Sequence, residues 1–289
     1  MIRQSLFSIA VFSSLLFCTP KAQDGKEAHT VLKELFSFPT EVKEVSGIQF
    51  NPVANVIYTH EDHGNKNEIY TFSLDGKWLS TTKVIDINNE DWEDITKDKY
   101  GDIYIGDFGN NDNDRKDLTI YKLGKIEGKE VKSQQKTEFY YPEQTEFPPK
   151  KSKLLYDCEA FFEKDGFFYL FTKNRSKNFD GKSLIYKIPN KEGRFKAELI
   201  GEFLPEGKFN DAAITAADIS PDGKTVALLS HKKVFLLKNF DQKGFSFTTI
   251  DLQSNTQKEG LSFKDNTTIY IADEAEKGRN ALLYSIQIP

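Results

Sequence analysis

Five residues recur at one place in a repeated pattern: Ser46, Glu93, Glu159, Thr215 and Glu259. Each precedes a small or acidic residue (Gly47, Asp94, Ala160, Ala216, Gly260) and opens a short apolar stretch. If the repeat is circular, equivalent positions form one ring around its axis. Three carboxylates aimed at one another in a narrow channel cannot all stay ionised unaided, so protons or a cation must neutralise them. An all-oxygen donor set without His or Cys selects a hard cation. A roomy ring of mixed donors suits Ca²⁺ better than the strict octahedron of Mg²⁺. The competing arrangement leaves the acids facing water in a wide tunnel, or hydrogen-bonded to backbone amides.

A second layer follows from the same alignment. His60, Asp107, Lys173 and Asp273 each lie at one fixed interval beyond their ring position. In the fourth copy that interval falls on Leu229, next to Ser230 and His231. These positions end the second strand of each unit, which runs antiparallel to the first, so they return to the face where the ring sits. The mouth is therefore expected to be bordered by His60, Glu61, Asp62, Asp107, Asn110, Lys173, Arg175, His231, Asp273 and Glu274. Polar groups converging over a metal make this the default ligand site, suited to a small anionic molecule or a glycan. Other motifs fail on spacing. His60 to His63 reads HEDH and lacks the zincin interval. Asn110 to Asp117 lacks the Gly and terminal Glu of a calcium loop and reads as a solvated loop. There is no nucleophile elbow, P-loop or dinucleotide fingerprint, and no catalytic residue is assigned.

The elements that must position these groups are strands. The chain has 289 residues with 24 Phe, 12 Tyr and a single Met, a composition that suits half-buried pleated surfaces. Strand-like runs come in fours, punctuated by turns such as Asp75-Gly76, Asp165-Gly166 and Pro221-Asp222-Gly223. Units opening at Ser46, Glu93, Glu159, Thr215 and Glu259 are roughly 45 to 65 residues long, the signature of a β-propeller. Four units have four strands and the last has three. The unmatched strand from His29 to Phe38 supplies the missing one and closes the ring without an open edge. The fold class is all-β: a five-bladed propeller of four-stranded blades. The alternative of six blades would need the sixth inside the Pro- and Lys-rich insert from Tyr141 to Leu155, which is too short and reads as a surface loop.

Residues 1–23 read as a secretory signal: Arg3, then the apolar run Leu6 to Phe17, then Thr19 to Gln23 as a cleavage region. The run is too short to span a bilayer. Residues 24–289 then form one propeller domain, exported to the periplasm or secreted. A lipoprotein held through Cys18 is the alternative, although Phe17 is not the small residue such a signal uses. Net charge is −5, and losing Arg3 and Lys21 makes the mature chain more acidic, which argues against nucleic acid or an anionic membrane as partner. Cys158 is the one cysteine left, so no internal disulfide holds the core, and a buried inert thiol is the simplest reading.

Glu44-Val45-Ser46-Gly47-Ile48, the Asp75-Gly76 turn, Trp92-Glu93-Asp94-Ile95 and Glu259-Gly260-Leu261 resemble the SdiA-regulated family of exported propellers. The five inner-strand positions are also similar to those of secreted calcium-activated nucleotidase (apyrase) propellers, which hold an axial Ca²⁺ with Ser and Glu residues. That resemblance implies Ser46, Glu93, Glu159, Thr215 and Glu259 as Ca²⁺ ligands, with Thr215 where a Ser is usual. The nucleotide-contacting segments of the apyrases have no counterpart here. Phytase propellers are a looser relative. The function expected is an exported calcium-binding propeller that binds a ligand or serves as a scaffold. The alternative is a Ca²⁺-dependent phosphoester or ester hydrolase, nucleotidase- or phytase-like.

Overall fold

The computed structural model describes residues 23–240 and 245–289. The leader expected at residues 1–23, Cys18 with it, falls outside the described residues but for the backbone of Gln23. No helix among the described residues is long and apolar enough to cross a membrane.

The strands form five sheets arranged as a five-bladed propeller. From the axis outward, blade 1 is Val45–Asn51, Val56–Glu61, Glu68–Ser73 and Trp78–Val84. Blade 2 is Trp92–Lys97, Ile103–Asp107, Thr119–Gly124 and Gln135–Tyr140. Blade 3 is Asp157–Lys164, Phe167–Lys173, Ser183–Pro189 and Glu198–Phe203. Blade 4 is Ala216–Ile219, Thr225–Leu229, Lys233–Lys238 and Ser246–Asp251. Blade 5 takes Lys258–Asp265, Thr268–Asp273 and Leu282–Gln287 from the C-terminal end, and Lys33–Ser37 from the N-terminal end as its outer strand. The closure expected from the missing strand is thus present, and the described residues form no sixth blade. The expected strand from His29 to Phe38 is shorter and is preceded by a second one, Gln23–His29, which pairs parallel along the outer edge of blade 4. Glu130–Val131 and Gly193–Lys196 cover the outer edges of blades 1 and 2 in the same way. Capping exposed edges removes unpaired N–H and C=O groups. One short helix, Phe209–Ala212, precedes blade 4.

Sheets in a propeller bury both faces, so their strands carry apolar runs instead of clean alternation. Phe168 to Phe171 is wholly buried for this reason. Among the described residues the core divides into five clusters, each shared by two neighbouring blades; four carry several aromatic rings and the one between blades 4 and 5 is aliphatic but for Phe263. Cys158 lies in the cluster between blades 2 and 3, fully buried, and burial pushes its thiol up, as an inert core cysteine requires.

The axis itself is closed by hydrogen bonds. Asp94, on the inner strand of blade 2, accepts backbone N–H groups from Ile95 (2.9 Å), from Phe161 of blade 3 (3.1 Å) and from Ala217 of blade 4 (3.3 Å). Asp218 of blade 4 accepts the N–H of Ile219 and of Phe263 in blade 5, each at 2.8 Å. Ser262 of blade 5 receives the Phe50 N–H (3.0 Å) and the Gln49 amide (2.8 Å) of blade 1. One polar belt therefore runs through all five inner strands. Small residues let the strands approach: Gly47 has φ +80° and a Cβ there would stand 3.0 Å from the Cα of Asp94.

Candidate metal centre

The first residues of the inner strands converge just above this belt. Glu93 of blade 2 and Asp157 and Glu159 of blade 3 each offer a carboxylate oxygen, all within 4.8 Å of one another, and all three are buried. Two cations reach in from the end of the second strand of blade 3 and the loop after it. Arg175 forks across Asp157 (Nε–Oδ2, 2.6 Å) and Glu159 (Nη2–Oε1, 2.6 Å). The Lys173 ammonium stands 2.9 Å from Glu159 Oε2 and 3.8 Å from Glu259 Oε1. His231 Nε2 lies 3.2 Å from the same Glu259 oxygen. The Asn110 N–H donates to Asp157 at 2.7 Å.

Charge is unevenly settled among these acids. Burial alone would raise the Glu159 carboxyl, but Lys173, Arg175 and a hydrogen bond shared with Asp157 bring it down to about 2. Asp157 goes the other way, pushed well up by burial and by the Glu159 charge despite Arg175. Glu93 is pushed well up by burial and then by Glu159, Asp91 and Asp157. Its carboxylate accepts no hydrogen bond among the described residues, although only 7% of the residue is exposed. Asp91, beside it, is raised to about 6 by burial and by Glu159. Gly109 makes room for both, since a Cβ there would come within 2.2 Å of Glu93 Oε1 and 2.4 Å of Asp91 Cγ. The Glu159–Glu259 side is thus neutralised by tethered cations, while the Glu93 side is not.

The expected ring positions all open or immediately precede their inner strands. Ser46 Oγ donates to the Glu93 carbonyl (2.7 Å) and Thr215 Oγ1 to the Lys258 carbonyl (2.8 Å), so each hydroxyl staples its blade to the next and keeps lone pairs free. Glu93 and Glu159 come together with Asp157, and Glu259 stands across Lys173 from Glu159.

The expected mouth divides. Asp62 and Glu274 face one another's charge and that of Glu44 and Glu259. Burial and this crowding raise Asp62 to about 7 and Glu274 to about 8. Lys173, Arg175 and His231 point at the acid cluster as described. Asp107 is held by Arg115 Nη2 at 2.9 Å and accepts the Asp91 N–H. Glu61 caps the chain at Lys43 (2.8 Å) and binds the Tyr70 hydroxyl. His60 is fully buried, its ring edge-on to Trp92 at 5.7 Å, and burial lowers it to about 4. Asp273 is fully buried too, accepting from Thr256, Arg279, Tyr284 and the Leu282 N–H, with Lys258 at 3.4 Å. The loop after Asp107 is solvated at Asn111, Asp112, Asp114, Lys116 and Asp117, as its composition suggests, but is pinned to the core at two positions. Asn110 and Asn113 are buried, and Asn113 takes the Tyr156 N–H while its own carbonyl binds Gln144 of the insert.

Asp157, Asp91 and Arg115 are what sequence alignment on the ring positions passes over. The signal was present in the spacing: Asp91-x-Glu93 and Asp157-x-Glu159 repeat one pattern in adjacent blades.

No protein-family model and no curated protein sequence matches this chain. Solved structures do. The PQQ-bound aldose sugar dehydrogenase of Streptomyces coelicolor is 8% identical with a TM-score of 0.51, over 93% of this chain and 99% of that one. A putative gluconolactonase is 10% identical with a TM-score of 0.49, over 89% and 92%. The calcium-binding protein regucalcin of Agrobacterium tumefaciens is 10% identical with a TM-score of 0.47, over 92% and 97%. At these identities the likeness speaks of the fold alone.

Proposed function

We propose that the chain is an exported propeller of the SdiA-regulated type that binds Ca²⁺ at the head of its inner strands, as a ligand-binding or scaffold protein. One observation carries the metal: Glu93 is a buried carboxylate without a hydrogen-bond donor, and it converges on Asp157 and Glu159. A buried charge without a partner is expensive, and a hard cation is the partner an all-oxygen set accepts. Glu93 and Glu159 would hold the ion with Asp157 beside them. Ser46, Thr215 and Glu259 are the remaining donors at the same level, completing the ring the sequence suggests. When bound, the ion would tie blades 2 and 3 and could polarise an oxygen of an anionic ligand at the mouth. Export rests on the leader sequence and the acidic mature chain.

The test is thermal unfolding with EDTA or Ca²⁺. At a hundredfold excess over its Kd, a ligand that binds only the folded state adds about 2.7 kcal/mol. That is a rise in Tm of about 5–10 °C for a domain of this size. Glu93→Gln, whose native side chain has no partner to strand, should abolish the rise while unfolding normally in EDTA. An equal rise in the variant, or none in the wild type, ends the metal reading.

A second reading, Ca²⁺-dependent phosphoester or ester hydrolysis, is favoured by Asp62 and Glu274. Their carboxyls, held near neutral, are suited to moving a proton at pH 7. Lys173 and Arg175 would stabilise developing negative charge. Purified protein that takes up Ca²⁺ yet releases no phosphate from nucleotides or phytate retains the binding role alone.

A further inference from the structure

A recess of about 350 Å³ opens on the flank of blade 2, lined by none of the acids of the cluster. Its walls come from three separate pieces of chain: the loop after Asp107, the outer strand Gln135–Tyr140 with the insert that follows, and the edge strand Gly193–Lys196. Tyr140, Tyr141 and Phe147 supply aromatic surface, and Arg115, Lys116 and Arg194 supply charge. No acidic residue lines it. We propose that this recess binds a small planar organic anion, an aryl carboxylate or its like.

Charge is the first argument. The protein is acidic overall, with a net charge of −5, and most of its buried cations are paired. Lys116 and Arg194 have no carboxylate partner among the described residues. Each instead rests on an aromatic ring: Lys116 Nζ lies 4.8 Å from the centre of Phe147, and the Arg194 guanidinium 5.7 Å from that of Tyr140. A cation over a ring keeps most of its charge available to a third group, and these two flank one opening.

The second argument is the held position of Arg115. Its Nε donates to Asp117, its Nη1 to the Gly109 carbonyl and its Nη2 to Asp107. These bonds fix the guanidinium in place, and besides its remaining N–H groups it carries a flat face of the kind that stacks on planar π-systems. The partly exposed rings of Phe147 (37%) and Tyr140 (41%) offer the same kind of surface. Two free positive heads and several flat faces describe a ligand that is planar and negatively charged.

The third is order. The insert is anchored by the Gln144 amide to the Asn113 carbonyl at 2.7 Å, and Asn113 in turn holds the Tyr156 N–H at 2.7 Å. The recess is therefore largely pre-formed, as small-molecule sites are, and its volume falls in their range. A neutral sugar fits less well, because its hydroxyls need acceptors and amides. The Gln144 amide nitrogen is already committed to the insert.

This inference does not rest on the cation reading, and the experiment separates the two. Isothermal titration of the full chain is run with 1-naphthoate and with its neutral counterpart 1-naphthalenemethanol, each in EDTA and again in Ca²⁺. Wild-type protein should bind naphthoate saturably, about tenfold or more tighter than the alcohol, and equally in both buffers. Lys116→Ala and Arg194→Ala, both at exposed positions, should each weaken naphthoate roughly fivefold and leave the alcohol and the Tm unchanged. Phe147→Ala should weaken both compounds. The proposal is overturned if wild-type protein shows no saturable naphthoate binding, if acid and alcohol bind alike, or if the Lys116→Ala/Arg194→Ala double variant binds naphthoate as the wild type does.

Discussion

Asp62→Asn should make the protein more stable at alkaline pH. Asp62 sits at the mouth with the charges of Glu44, Asp91 and Glu259 on it, and burial and these neighbours lift its carboxyl from 3.8 to about 7. A folded-state pKa above the unfolded one means that the native state holds the proton more tightly. The unfolding free energy therefore falls as pH rises from about 4 to about 7, and the full penalty is in force above that. At about 1.4 kcal/mol per unit the unscreened penalty is about 4 kcal/mol. Asp62 is only half-buried, and screening by solvent leaves about 1–2 kcal/mol. The asparagine has the same shape, can still meet the Asn65 amide that lies 3.2 Å from Asp62 Oδ1, and carries no charge. Thermal unfolding in EDTA should show a Tm gain of about 3–6 °C at pH 8, falling to about a third of that at pH 5. The wild type should itself lose stability across this range, since Asp91 (about 6) and Glu274 (about 8) are shifted in the same direction. A variant that is destabilised at pH 8, or shifted equally at both pH values, refutes the crowding argument. A stabilising mutation at a polar cleft is the usual mark of a group kept for function.

Three other perturbations have defined outcomes. Asp94→Asn leaves at least one of three buried N–H donors facing an amide nitrogen, costing about 2–4 kcal/mol, read as a lower midpoint in urea with an unchanged m-value. Asp273→Ala strands Lys258, which is fully buried beside it, and should cost about 3–5 kcal/mol without altering the Ca²⁺-induced shift in Tm. Gly109→Ala puts a methyl where Glu93 Oε1 now lies, so it should blunt the Ca²⁺ response far more than it lowers the Tm measured in EDTA.

The architecture was legible because its signals are local and repeated. Turn pairs such as Asp75-Gly76 bound the strands, and the three-strand last unit required an N-terminal partner, which Lys33–Ser37 provides. The short edge strands were not legible. Glu130–Val131 is two residues long and carries no alternation, and only its position beside Trp78–Val84 makes it a strand. At the site, alignment found Glu93 and Glu159 because it compares equivalent positions. It also put Lys173 at the mouth above them, but could not show that Lys173 bridges Glu159 and Glu259, because a side chain's reach across the axis is set by three-dimensional closure. Nor could it separate the buried Asp273 from the mouth-facing Glu274 next to it. The strand ends at Asp273 and Glu274 begins the loop after it, and the donors that wait for Asp273 belong to other segments.

That last contrast gives a rule for reading the acids of this chain. Asp94, Asp218 and Asp273 are buried and each receives several donors, among them backbone N–H groups that would otherwise be orphaned. Removing such a carboxylate exposes a need in the backbone: Asp94 and Asp218 tie neighbouring blades together and Asp273 holds the last blade internally. Glu93 is buried too, though less completely, and has no donor, and Asp62 and Glu274 are crowded by like charge. Removing them would relieve the fold, so stability does not explain their presence. Both kinds lie within a few residues of each other on the same strands, so the sequence cannot tell them apart by burial or by type. What distinguishes them is whether the carboxylate's charge is answered from within the protein. Where it is not, as at Glu93, the carboxyl is pushed up toward its protonated form, and the cation proposed above would take that proton's place.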